Sequence, residues 1–190
     1  MKKILVIVVL AFVLSAVISA EERTMAMDMF LIIDNSSAFR EQKSDALAWI
    51  NEYVIDRILT EGDNITVLAA GDSAESVFSG SIGGEDGISS EKDAIKGRIL
   101  ALETNGSTPD FAGALRDAQS QASRISSARL TYIMLITASA SGLEPVLAGN
   151  SGLLRWSRSL RYDGWQVFIV APDIGPRVRE AAQAYMNSRR

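Results

Sequence analysis

An acidic chain of 190 residues with no histidine and no cysteine has few chemistries open to it. Imidazole bases, His-ligated zinc, disulfides, thiolate catalysis and iron–sulfur centres are excluded. A net charge of −4 gives no basic footprint for nucleic acid, and 47% hydrophobic against 22% charged residues suits one folded domain.

What is left is oxygen chemistry from Asp, Glu, Ser and Thr, which suits hard cations such as magnesium or calcium. The N-terminus is an address. Lys2 and Lys3 precede an apolar run to Ile18, and the run closes on Ser19-Ala20 before Glu21-Glu22. That layout predicts a secretory signal peptide over 1–20, cut after Ala20, and an exported domain over 21–190 with no further membrane span. Ile18 is bulkier than the small residue favoured near a cut, so an uncleaved N-terminal anchor is the alternative. No cysteine follows, which excludes a lipoprotein.

The stretch Met27–Ala38 holds a short apolar run, Met29–Ile33, that ends abruptly in Asp34, Asn35, Ser36 and Ser37. A continuous apolar run bounded by turn residues predicts a strand buried on both faces, as in parallel sheets. Open α/β sheets bind ligands at the carboxyl ends of such strands, so the acid and hydroxyls at that end are the first candidates for function.

Ala38–Thr60 predicts a helix, with Leu47, Ile50, Val54 and Ile58 at helical spacing. After the turn Glu61–Asn64, Ile65–Ala70 is a second buried strand. Ala74–Ile82, with Val77 and Phe78 among serines, predicts a third strand hairpinned to it at an edge. Beyond the glycine-rich Gly83–Ser89, Ser90 and Asp93 form a capping box for a helix carrying Ile95, Ile99 and Leu102. In Asn105–Asp110, Thr108 can cap a further helix, with Pro109 in its first position and Asp110 in its first turn. Leu130–Thr137 is another buried strand, followed by the loop Ala138–Gly142. A helix is expected from about Glu144 to Leu160, then a strand Trp165–Ala171 and a final helix Arg177–Asn187. The alternation predicts a doubly wound α/β fold: a mostly parallel central sheet of about five strands, helices on both faces and one antiparallel edge strand.

The order of elements and the placement of hydroxyls resemble the von Willebrand factor type A domain over essentially the whole exported chain. That family builds a metal-ion-dependent adhesion site from three loops at the carboxyl edge of its sheet: D-x-S-x-S, a threonine before a helix, and an aspartate after a buried strand. Here Asp34 and Ser36 match the first motif, but Ala38 stands at its second serine. Thr108 matches the threonine. In Leu135-Ile136-Thr137-Ala138-Ser139, Ala138 stands where the family has its aspartate. The resemblance implies Mg²⁺ or another divalent cation held by Asp34, Ser36 and Thr108, with Ser37, Asp110 and Ser139 at a partner-binding surface. One matched acid leaves such an ion under-neutralised, which weakens its binding and sharpens its attraction for a partner's carboxylate. Each residue also has a structural reading. Thr108 can be a helix cap, Ser36 and Ser37 turn residues, and Asp34 a partner for a helix dipole.

The expectation is therefore an exported, periplasmic or secreted module that binds a protein and is not an enzyme. Two other classes stand beside it: a structural subunit of an envelope complex with an inert site, and an exported metal-dependent hydrolase using Asp34. Ser89-Ser90-Glu91-Lys92 contains Ser-x-x-Lys, but neither partner motif of the penicillin-recognising enzymes is present. Arg155, Arg158 and Arg161 read as a solvated face of the penultimate helix, and Trp156 and Trp165 as core.

Overall fold

The computed structural model describes residues 25–84, 87–122, 129–138, 143 and 157–170. The expected signal peptide, most of the helix from Glu144, the final helix, Trp156 and Ser139 lie outside the described residues. Strand β1 (Met27–Asp34) is buried along its whole length. It pairs in parallel with β2 (Asn64–Ala70) on one side and β4 (Leu130–Thr137) on the other. A strand hydrogen-bonded on both edges and covered on both faces has no solvated side, which is why its sequence shows no polar alternation.

The sheet has six strands in the order β3-β2-β1-β4-β6-β5. β3 (Ala74–Ser81) is the antiparallel edge, with a bulge against Val67/Leu68. β5 (Ser157–Arg161) and β6 (Gln166–Val170) form a hairpin whose β6 lies antiparallel to β4. Because β5 in turn opposes β6, β5 runs in the direction of β1, β2 and β4. The α/β class and the antiparallel edge are as expected, and the hairpin adds a strand. Residues 157–160, expected to end a helix, are extended instead, so the three-residue spacing of Arg158 and Arg161 does not describe a helix face. The reason is local: Asp163-Gly164, with Gly164 at φ +82°, makes a two-residue turn closed by the Tyr162 N–H on the Trp165 carbonyl at 2.8 Å.

On one face, Met27, Met29, Leu31 and Ile33 pack against helices α1 (Lys43–Trp49) and α2 (Ile88–Leu100). α1 continues as a π-helix over Ile50–Ile58, ended by the Leu59 N–H on the Val54 carbonyl. The stripe Leu47, Ile50, Val54 and Ile58 is buried as its spacing required. On the other face, Phe30, Ile32 and Leu68 pack against α3 (Phe111–Ala122). Trp165 lies in the core: it meets Trp49 edge-on at 5.9 Å and stacks on Tyr162 at 4.1 Å, binding the hairpin to α1. Burial pushes the Tyr162 phenol pKa well above its usual range. Among the described residues no helix is long and apolar enough to cross a membrane.

The cap of α2 differs from expectation. Ser90 lies inside α2, whose N-cap is Gly87; Glu91 instead accepts the N–H groups of Gly83 and Gly84. At the amino end of the sheet, Asp28 is 1% exposed, and its carboxylate is held by the Arg129 guanidinium at 2.8 Å and the Asn64 amide at 2.6 Å. Arg129→Met leaves a buried carboxylate without its counter-charge. It should lower the unfolding free energy by about 3 kcal/mol or more, measured by urea denaturation against wild type.

Candidate functional site

The carboxyl ends of β1, β2 and β4 form a rim with Asp34 at its centre. Asp34 is 2% exposed, and a charge so buried needs donors. Its Oδ1 accepts the Ser36 N–H at 2.9 Å and its Oδ2 the Thr137 hydroxyl at 2.7 Å. The first contact is a turn that folds the chain back just after β1. The second ties the end of β1 to the end of β4. Ser36, only 1% exposed, carries a hydroxyl that is buried without a hydrogen-bond partner.

The second loop is stitched to the first through the backbone. The Asn105 N–H donates to the Asn35 carbonyl at 3.0 Å, and the Ser37 N–H to the Gly106 carbonyl at 2.9 Å. Asn35 adds its side-chain amide to the Glu103 carbonyl at 2.8 Å. Lys43, at the start of α1, spans both loops: its ammonium donates to Asn35 Oδ1 at 2.9 Å and to the Leu102 carbonyl at 2.6 Å. Burial lowers its pKa from 10.5, and the Glu103 charge offsets part of that. Gly106 is fixed by geometry. It sits at φ +108°, and a Cβ there would lie 2.5 Å from the Asp72 backbone nitrogen.

Asp34 and Ser36 thus share one turn, and the loop bearing Thr108 is held against it. Ser37 and Thr108 are exposed. Thr108 does not cap the following helix. Asp110 does, accepting the Gly113 N–H on its side chain at 2.8 Å and the Ala114 N–H on its carbonyl at 3.1 Å. The Asp110 N–H also reaches the Gly71 carbonyl at 2.8 Å, so Asp110 anchors this loop to the end of β2. Lys43 and Thr137 were not singled out as site residues. Thr137 was legible as the hydroxyl closing a buried strand; Lys43, a charge on an exposed helix start, gave no signal.

A small divalent cation asks for about six oxygens. The orphaned Ser36 hydroxyl beside the Asp34 carboxylate is an observation that fits such an ion, and each Asp34 oxygen keeps a lone pair beyond the bond it accepts. Among the described residues no three Asp, Glu, His or Cys side chains gather as a metal cluster. The set therefore fits an ion that keeps several of its waters.

No protein-family model and no curated protein matches the chain. Solved structures do. One is proximal thread matrix protein 1 from the mussel byssus, 16% identical, TM-score 0.44, over 58% of this chain and 30% of that one. Another is the pilus adhesin SpaC from Lactobacillus rhamnosus GG, 15% identical, TM-score 0.44, over 76% and 17%. A von Willebrand factor type A protein from Catenulispora acidiphila is 12% identical, TM-score 0.38, over 80% and 59%. The chain spans less than two thirds of each of these proteins.

Lys43→Met removes the bridge between the two loops. Amide hydrogen exchange at Ser37 and Asn105 should speed up several-fold, and stability should fall by about 1–2 kcal/mol. Between its lowered folded pKa and 10.5 the unfolded chain holds the Lys43 proton more tightly, so its contribution to stability rises with pH. Unfolding free energies of wild type and variant should diverge as pH rises through that window.

Proposed function

We propose that this von Willebrand factor type A-like chain is an exported protein-interaction module whose contact surface is the rim at the carboxyl end of its sheet. The observation that carries the reading is the buried, unpartnered Ser36 hydroxyl set beside the Asp34 carboxylate in a turn that the second loop locks in place. A polar atom buried without a partner costs about 1–3 kcal/mol. A fold that keeps one at a ligand-binding edge keeps it for a ligand.

Asp34 and Ser36, with Thr108 on the adjoining loop, would hold a divalent cation. When bound, the ion supplies a positive charge only half-met by Asp34, and a carboxylate on a partner protein completes it. The exposed Ser37 belongs to the surface such a partner would cover, and Ser139 would extend it on the third loop. Asp110 supports it from below as a helix cap. The signal peptide over 1–20 would deliver the domain outside the cytoplasm, where free divalent cations suffice for a weak site.

Calorimetric titration with Mg²⁺, Mn²⁺ and Ca²⁺ tests the reading on wild type and Asp34→Asn. Saturable binding with a dissociation constant on the order of 1 mM is expected for wild type, with loss in a variant shown to be folded by its thermal transition. Flat traces for both proteins would remove the cation from the account.

A further inference from the structure

We propose that Gln166 is a fourth ligand-side residue of the rim, supplying the oxygen that position 138 does not. The inference rests on the cation reading above and adds a residue outside the three loops of the family's motif.

Register places it. The ends of three adjacent strands line up. Ile33 is level with Ile136, so Asp34 is level with Thr137, and Thr137 directly faces Gln166 across the β4–β6 pair. Residues directly opposite in an antiparallel pair project to the same face of a sheet. Two positions further in, Leu135 and Phe168 do so, both joining the core under α3. The Thr137 hydroxyl reaches Asp34 Oδ2 on that face, so Asp34, Thr137 and Gln166 form one polar row across the rim.

Gln166 is 8% exposed, and its amide oxygen is buried with no hydrogen-bond partner. Ser36, in the turn after Asp34, carries another; Gln42 and Tyr162, beside the hairpin turn, carry two more. Of these, Ser36 in the turn after β1 and Gln166 at the start of β6 lie along the strand ends that carry Asp34 and Thr137, and a buried acceptor left unpaired calls for an explanation. Amide carbonyls are ordinary ligands of hard cations.

Ala138 itself offers the rim no side-chain oxygen. Ala138 packs against the core on the opposite face, with Ile33 and Ile136, away from the row that holds Asp34. Gln166, brought alongside β4 by the β5–β6 hairpin, is on the correct face.

The test titrates Mn²⁺ into wild type, Asp34→Asn, Gln166→Leu and Gln166→Glu by calorimetry, with thermal shifts recorded with and without the ion. Gln166→Leu should weaken binding roughly tenfold, at the low end of what even outer-shell partners of a metal contribute. Gln166→Glu should tighten it by a similar factor. Its metal-free transition should fall below that of wild type through repulsion from Asp34, and Mn²⁺ should raise it more. Wild-type binding abolished by Asp34→Asn but unchanged in both Gln166 variants would overturn the role of Gln166 and leave the rim reading intact. No binding in wild type would overturn the rim reading and this inference with it.

Discussion

The constraint on which the rim depends is the burial of a single carboxylate. Asp34 ends β1, which is buried along its whole length, where a charge without donors would cost several kcal/mol. Two donors answer it, and each fixes a different part of the architecture. The Ser36 N–H folds the chain into its first turn, and the Thr137 hydroxyl holds β4 level with β1. Once that turn exists, the Asn35 and Ser37 backbone groups face the second loop, which can pair with them only in one register. The rim is preorganised by the solvation requirement of one acid.

A second tie acts on the other side of β4. The hairpin β5–β6 has a polar first strand and, among the described residues, no strand beyond it, so ladder bonds alone would hold it loosely. Its turn is anchored by aromatic rings. Tyr162 and Trp165 stack on each other, Trp49 meets both edge-on, and Tyr53 stacks on Trp49 beneath the Arg57 guanidinium. Aromatic pairs of this kind are each worth about 0.5–1.5 kcal/mol beyond their buried area. α1 therefore serves both ends of the rim: Lys43 at its start clasps the two loops, and Trp49 at its end grips the hairpin that carries Gln166.

The parts of this arrangement legible in the sequence are those where composition alone decides. The apolar runs of β1, β2 and β4 could only be interior strands, and an acid terminating the first of them marked the ligand edge. β5 was not legible, because Ser157–Arg161 is too polar to look like a strand and its neighbouring apolar residues fell at helical spacing. Asp163-Gly164 was the available signal, a turn that most often joins two antiparallel strands. In Thr108-Pro109-Asp110 the sequence points to Thr108 as the cap with Asp110 in the first turn, and the bond from Gly113 shows that Asp110 caps instead. Lys43 could not be read at all. Its role depends on the Leu102 carbonyl, 59 positions away, and on a backbone path that local pattern does not encode.

The two alanines at motif positions are losses of different kinds. Ala38 is exposed in a short turn of 3-10 helix, where a hydroxyl would meet water at little cost, so nothing in the fold requires its absence. Ala138 follows the last residue of β4 and is half-buried, packed against the core cluster that includes Ile33 and Ile136. An aspartate there would give up part of that apolar contact and place a charge at the edge of the core. On the face that carries Asp34 and Thr137, the next side chain along the rim comes from β6, where Gln166 lies opposite Thr137.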